Sequence, residues 1–125
     1  TTALLESVQE KERIYAGIEI GAKGVKLSVV GIRLTVDGVY DYSIKHDESF
    51  NANIVQMTDK AIEDAIKAAN GFIETARKTY QVEESHIFVV ASSGVKQVAE
   101  QKNMLASVEK KLQNGIKSSK PVRFI

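Results

Sequence analysis

The sequence predicts an α/β domain with a mixed five-stranded sheet and helices on its faces. Two segments rich in Ile and Val are joined by a glycine turn near the N-terminus, a long amphipathic segment occupies the middle, and short apolar segments follow. The chain has 125 residues, of which 43% are hydrophobic and 26% charged. A chain of this length and composition forms one globular domain with a substantial core.

The chain is expected to begin with a polar lead-in and an antiparallel hairpin. Residues 1–13 are helix-compatible and polar, so we expect a lead-in helix or a flexible terminus. Strands are expected at 14–20 and 25–34, because both segments are rich in β-branched residues and a Gly-x-x-Gly turn connects them. The domain itself is expected to span 14–125.

A third strand is expected to complete a meander. Asp37-Gly38 is a strong hairpin signal, so a strand should follow over 39–45. Polar and apolar residues alternate along it, which predicts one wet face and a position at the edge of the sheet. Residues 46–57 have no clear periodicity and are expected to form a surface loop.

The middle of the chain predicts a helix followed by a buried strand. Thr58 is a good N-cap, and apolar residues at spacings of three and four continue to Tyr80. Residues 86–91 are almost wholly apolar, which is typical of a central strand buried on both faces. The small residues Ser92-Ser93-Gly94 follow at its carboxyl end, where open α/β sheets bind ligands.

The last quarter predicts more helix and a final strand. Residues 95–101 favour a helical turn, Asn103 is expected to cap a helix to Asn114, and Gly115 is expected to end it. Residues 121–125 begin another apolar strand. The resulting order, β-β-β-α-β-α-β, is similar to that of a ribonuclease-H-like half-domain.

Composition excludes several classes of function. The net charge is +1, so nothing favours nucleic acid or an anionic membrane as a partner. The chain has no cysteine and two histidines far apart, so neither a thiolate nucleophile nor a His-based metal cluster is expected. No apolar segment reaches transmembrane length and no signal peptide is recognisable, so a cytoplasmic location is expected.

The turn between the first two strands is the first candidate site. Its glycines allow a ligand to approach the backbone closely, and successive N–H groups there can bind an anion. Glu19, just before the turn, is a carboxylate of the kind that holds hydrated Mg²⁺ together with substrate phosphates. An ordinary core hairpin with a glycine turn is the alternative interpretation.

Two motifs carry a family resemblance. Ala16-Gly17-Ile18-Glu19-Ile20-Gly21 resembles the first phosphate-binding loop of the actin, Hsp70 and sugar-kinase superfamily. The segment VVASSGVKQV at 89–98, which follows the long predicted helix, resembles a segment of the exopolyphosphatase and guanosine-pentaphosphatase family. The resemblance covers 14–125 and matches the first domain of that family.

This resemblance implies a fragment of a two-domain phosphohydrolase, inactive by itself. Polyphosphate or a guanosine polyphosphate and Mg²⁺ would lie between the domains, and a positioned water would cleave a phosphoanhydride bond. Glu19 would take the metal position, the catalytic base would lie just beyond Ile125, and a C-terminal domain would form the second wall of the cleft. The phosphate-binding residues implied by the resemblance are Gly21, Lys23, Gly24, Ser92, Ser93, Gly94 and Lys96.

Several positions depart from the family pattern. The family usually has Asp at Glu19, Ser-Asn-Ser at 22–24, Arg at Lys96 and Glu at Gln97. An ammonium and a guanidinium are not equivalent phosphate donors. Two other functions therefore stay open: a non-catalytic phosphate or nucleotide sensor or scaffold, and a phosphotransferase of the sugar-kinase type. A homodimer is a further candidate, since a domain without its partner exposes apolar surface.

Overall fold

A computed structural model of the protein describes residues 11–125. The expected α/β class and five-stranded mixed sheet are confirmed, and the elements follow the predicted order except that two helices instead of one separate the last two strands. Most of the lead-in predicted at 1–13 lies outside the described residues, and Arg13 already belongs to the first strand. The strands are β1 (Arg13–Gly21), β2 (Gly24–Leu34), β3 (Tyr40–Asn51), β4 (Ile87–Ala91) and β5 (Arg123–Phe124), and the α-helices are α1 (Asp59–Glu74), α2 (Ser93–Gln101) and α3 (Leu105–Gly115).

β1 lies at the centre of the sheet, whose strand order is β3-β2-β1-β4-β5. It pairs antiparallel with β2, and the pairing ends where Gly21 lies opposite Gly24. It pairs in parallel with β4, which in turn is parallel to β5. A meander followed by parallel crossovers produces this arrangement.

The helices cover one face of the sheet. The buried residues of β2 and β4 are paired with the buried residues of β1 across the sheet, so all of them lie on the same face. They pack there against α1 and α2. The prediction that residues 86–91 are buried on both faces is wrong: Phe88 is 42% exposed and Val90 is half-buried. Within residues 11–125, no helix covers the sheet face on which Phe88 and Val90 lie. The inward residues are Ala16, Ile18, Ile20, Val25, Leu27, Val29, Ile87, Val89 and Ala91.

β3 is longer than the sequence predicts. It is an edge strand, as expected, but it continues to Asn51, so the loop predicted from residue 46 is wrong over its first half. A register shift opposite Val29 and Val30 leaves Lys45 as an extra residue. Such a bulge breaks the period-two pattern from which strands are recognised. The expected single wet face is also wrong, because side chains on both faces of β3 are exposed.

α1 begins as predicted. The Thr58 side chain accepts a hydrogen bond from the Ala61 N–H at 3.1 Å, which confirms the N-cap. The α-helix ends at Glu74 and a π-helical turn continues to Thr79, close to the predicted end. None of the described helices has both the length and the apolar character needed to cross a bilayer.

The second half of the helical layer differs from the prediction. α2 is a full helix rather than one turn. Asn103 does not cap α3: it has a positive φ of 54°, and α3 starts at Leu105 without a side-chain cap. Gly115 is the last residue of α3, one position past the predicted end at Asn114, and a Cβ atom there would come within 2.9 Å of Ile66 on α1. Gly115 therefore allows close packing of two helices.

Replacement of Gly24 should lower the stability of the fold. Its φ is +152°, and a Cβ atom there would overlap the Phe50 carbonyl oxygen on β3. We expect Gly24→Ala to lower the free energy of unfolding by about 1–3 kcal/mol, through backbone strain and displacement of β3. Gly71→Ala is the matched control, since Gly71 lies in α1 with open space around it and should gain up to about 1 kcal/mol. Urea unfolding of both variants measures this, and equal effects would contradict the prediction.

An ion pair between α1 and α3 should make stability depend on pH. The Lys111 ammonium lies 2.6 Å from Asp59 Oδ1 and, by hydrogen bonding and charge, holds the pKa of that carboxyl below its ordinary 3.8. A carboxyl with a lowered pKa stabilises the fold above its unfolded-state pKa, and this contribution disappears as the pH falls through the folded-state pKa. We expect the stability difference between wild type and Asp59→Asn to shrink between about pH 5 and pH 2.

Urea unfolding across this pH range is the measurement, and Lys111→Met serves as the partner variant. Once Lys111 is replaced, the pH dependence of the Asp59→Asn effect should become clearly smaller, and the part that remains comes from the position of Asp59 at the N-terminus of α1. A difference between wild type and Asp59→Asn that stays constant down to the acid end would show that the pair does not link stability to pH.

Candidate functional site

A pocket of about 430 Å³ lies at the β1–β2 turn, at the edge of the sheet where β1 and β4 end. Five of the residues predicted for the site line it together. The other lining residues are Ala22, Val25, Lys26, Ser49, Phe50 and Asn51. The five predicted residues are Glu19, Gly21, Lys23, Gly24 and Ser92.

The parallel pairing of β1 with β4 brings Ser92 to this pocket. The Ser92 N–H donates to the Ile20 carbonyl at 2.9 Å, which extends the ladder one residue beyond β4. A Cβ atom placed on Gly21 would lie 3.6 Å from Glu19 Oε1 and 4.0 Å from Ser92 Oγ. The carboxylate of Glu19 and the hydroxyl of Ser92 therefore both reach the surface of Gly21.

The end of β3 supports the turn from the other side. The Ala52 N–H donates to the Lys23 carbonyl at 3.0 Å, and Gly24 pairs with Asn51. These contacts hold the backbone of the turn while the side chain of Lys23 stays exposed. Lys23 can therefore turn its ammonium toward an anion in the pocket without disturbing the sheet.

The N-terminus of α2 lies beside the turn. Ser92 is its N-cap and accepts a hydrogen bond from the Val95 N–H at 3.4 Å. Among the described residues, no acceptor takes the N–H groups of Ser93 or Gly94. A Cβ atom on Gly94 would lie 3.9 Å from Ala22 Cβ, so the turn and the helix N-terminus are in near contact. Free N–H groups at a helix N-terminus attract anions.

Three predicted residues stand outside the pocket lining. Ser93 and Gly94 belong to the first turn of α2 but do not line the pocket. Lys96 follows within the same helix and is half-buried. Its side chain is not among the pocket residues either, so the structure brings the family's expected cation near the site without placing it at the pocket.

Three polar residues of the pocket were not predicted from the sequence: Lys26, Ser49 and Asn51. Lys26 lies directly opposite Glu19, and Ser49 lies opposite Lys26 on β3. The register of a hairpin that turns between Gly21 and Gly24 would have identified Lys26. Ser49 and Asn51 had no signal, since they fall in the segment that was expected to be a loop.

The charges of the pocket favour an anion. Among residues 11–125, two lysines, Lys23 and Lys26, and one carboxylate, that of Glu19, line it. No group of three or more His, Asp or Glu side chains within residues 11–125 could hold a metal ion by itself. Mg²⁺ often binds through one protein carboxylate plus substrate phosphates, so Glu19 fits an ion that arrives with its phosphate ligand.

Solved structures of Ppx/GppA and exopolyphosphatase proteins share this fold, whereas no family model and no curated protein matches the sequence. A Ppx/GppA family member from Aquifex aeolicus is 18% identical with a TM-score of 0.64, covering 92% of this chain and 35% of that one. An exopolyphosphatase from Cytophaga hutchinsonii is 13% identical with a TM-score of 0.56, covering 90% and 34%. An exopolyphosphatase-like protein is 20% identical with a TM-score of 0.55, covering 93% and 33%.

At this level of identity the likeness concerns the fold. The chain spans about a third of the length of the structures that it matches. The fold class predicted from the sequence agrees with theirs. The chain therefore has the fold of about one third of a Ppx/GppA-type structure.

Proposed function

We propose that the pocket at the β1–β2 turn binds the phosphates of polyphosphate or of a guanosine polyphosphate. The observation that supports this is a pocket with two lysines that is lined by the turn after β1 and by Ser92, the N-cap of α2, with the free N–H groups of Ser93 and Gly94 beside that lining. A condensed phosphate carries a dense negative charge and many acceptor oxygens. Backbone N–H groups and ammonium groups together satisfy both properties.

Each residue has a distinct part in this proposal. The N–H groups of Ser93 and Gly94 donate to one phosphate, and the turn from Gly21 to Gly24 lets a neighbouring phosphate approach the backbone. The Ser92 hydroxyl, whose oxygen already caps α2, keeps its proton free to donate. Mg²⁺, when bound, would neutralise phosphate charge, and Glu19 would hold it.

We propose further that the chain is the N-terminal domain of an exopolyphosphatase-like hydrolase that works in the cytoplasm. A second domain would close the pocket, and the catalytic base would lie just beyond Ile125. In phosphoryl transfer the protein mainly positions the reactants and neutralises charge, and this pocket offers both. Phosphate binding without hydrolysis is the second candidate, because Glu19 is the one carboxylate that lines the pocket within the described part of the chain.

Lys23 should contribute to binding of tripolyphosphate. We expect Lys23→Met to weaken binding about tenfold, or ~1.4 kcal/mol, because a charge-assisted contact is lost. Lys67→Met is the matched control: it removes the same charge from an exposed position on α1, far from the pocket, and should leave affinity unchanged. Isothermal titration calorimetry measures both at one salt concentration. Equal losses would mean that net charge alone governs binding.

Glu19 should make binding depend on Mg²⁺. We expect Mg²⁺ to tighten tripolyphosphate binding by wild type severalfold, and Glu19→Gln to abolish that increment while binding without Mg²⁺ persists. The amide keeps the size of the side chain and removes its charge. An increment retained in Glu19→Gln would contradict a metal role for this residue.

The hydrolase proposal has its own test. The intact mass of the protein from its natural reading frame should exceed the 13.7 kDa of this chain. That longer protein should release phosphate from polyphosphate with Mg²⁺. A longer protein that binds tripolyphosphate in the pocket but releases no phosphate would favour the binding role.

A further inference from the structure

The outer edge of β3 has the features of a self-pairing strand. β3 has 12 residues, and no strand of residues 11–125 pairs with its outer side. The half before the bulge, 40–44, carries three large apolar side chains on the face that the helices leave open. These are Tyr40, Tyr42 and Ile44, which are 59%, 66% and 69% exposed.

The backbone of the same residues points outward. The Thr35 N–H donates to the Val39 carbonyl at 2.8 Å, which makes this a hydrogen-bonded pair at the β2–β3 hairpin. Hydrogen-bonded and non-hydrogen-bonded pairs alternate along an antiparallel ladder. Asp41 and Ser43 therefore turn their N–H and C=O groups toward β2, and the residues between them turn theirs to the outer edge.

The charges that usually protect an edge are already paired within the chain. Arg33 lies 3.1 Å from Asp41, and Lys45 lies 2.9 Å from Glu12. Ser43 also donates to Glu12, at 3.2 Å. Free charges, prolines and bulges are the common protections of an edge strand. Of these protections, the described part of β3 has only the bulge at Lys45, which limits regular pairing with another strand to residues 40–44.

We propose that a second copy of this chain pairs antiparallel with the 40–44 edge, with Tyr42 on the two-fold axis. Tyr42 then lies opposite its own copy, and Tyr40 lies opposite Ile44 in both directions. These are aromatic–aromatic and aromatic–β-branched pairs, which stabilise antiparallel sheets. Asp41 lies opposite Ser43, so no like charges meet. The net charge of +1 adds little repulsion between copies.

The contact is short, so the dimer is expected to be a weak one. Pairing of five residues from each copy lies below the size of a standard interface, and such contacts associate transiently. We expect the sedimentation coefficient of the 125-residue chain to rise with concentration between about 10 μM and 1 mM. A chain that stays monomeric over this range would overturn the proposal.

Variants of Tyr42 locate the contact. Tyr42→Lys places like charges on the axis and should abolish association. Tyr42→Pro should do the same, because it removes an outward N–H group while the bonds to β2 remain. Tyr42→Phe should associate as wild type does. Phe88→Lys is the matched control on the open face of β4, and association should survive it; loss there with retention in Tyr42→Lys would overturn the proposed edge contact.

Cross-linking supplies the geometry. The chain has no cysteine, so a single-cysteine variant reports one position. Hydrogen-bonded antiparallel neighbours have Cα atoms about 5.5 Å apart, within the range of a disulfide. Tyr42→Cys should form a dimer on mild oxidation, and Phe88→Cys should not. The reverse pattern would show that the copies meet through the open sheet face and would refute pairing through β3.

Discussion

The simultaneous pairing of β1 with β2 and β4 is the constraint on which the core and the candidate site both depend. The turn between Gly21 and Gly24 fixes the register with β2, and that register places Ile18 and Ile20 inward and Glu19 outward. A slip of one residue would reverse the two faces, burying the carboxylate and exposing the core. The same strand sets Ser92 beside the turn through the parallel ladder with β4. The hydrophobic core therefore holds the pocket in place.

The strand conformation of the polar second half of β3 follows from the same pairing. Its residues have weak strand propensity, yet they pair with β2 up to the turn, where Asn51 lies opposite Gly24. A strand so placed meets the turn closely, which only glycine at position 24 allows. The end of β3 thus forms a wall of the pocket and supports the Lys23 backbone. Pairing with a long neighbour, rather than local preference, makes this segment a strand.

The sequence predicts those features that local signals determine, and it fails where tertiary contacts decide. The Thr58 cap and the glycine hairpin are encoded within a few residues, so both could be foreseen. The bulge at Lys45 interrupts the alternation of residues by which β3 could have been recognised. The exposure of Phe88 depends on which face of the sheet the helices cover. The site follows the same division: the turn, the strand end and, through the hairpin register, Lys26 were predictable, but Ser49 and Asn51 enter the pocket only through the pairing of β3 with β2.

Backbone and side chains contribute differently to the candidate site, and this bears on how far its chemistry can diverge. The free N–H groups of α2 and the turn after β1 are properties of the fold, which the Ppx/GppA structures share at 13–20% identity. An anion site built on such groups tolerates changes in side chains, because its donors belong to the main chain. Hydrolysis also requires a carboxylate or another base at a defined distance from the attacking water. For the binding site proposed above, the departures at Glu19 and Lys96 from the pattern of the family that the sequence resembles therefore weigh against catalysis more than against phosphate binding.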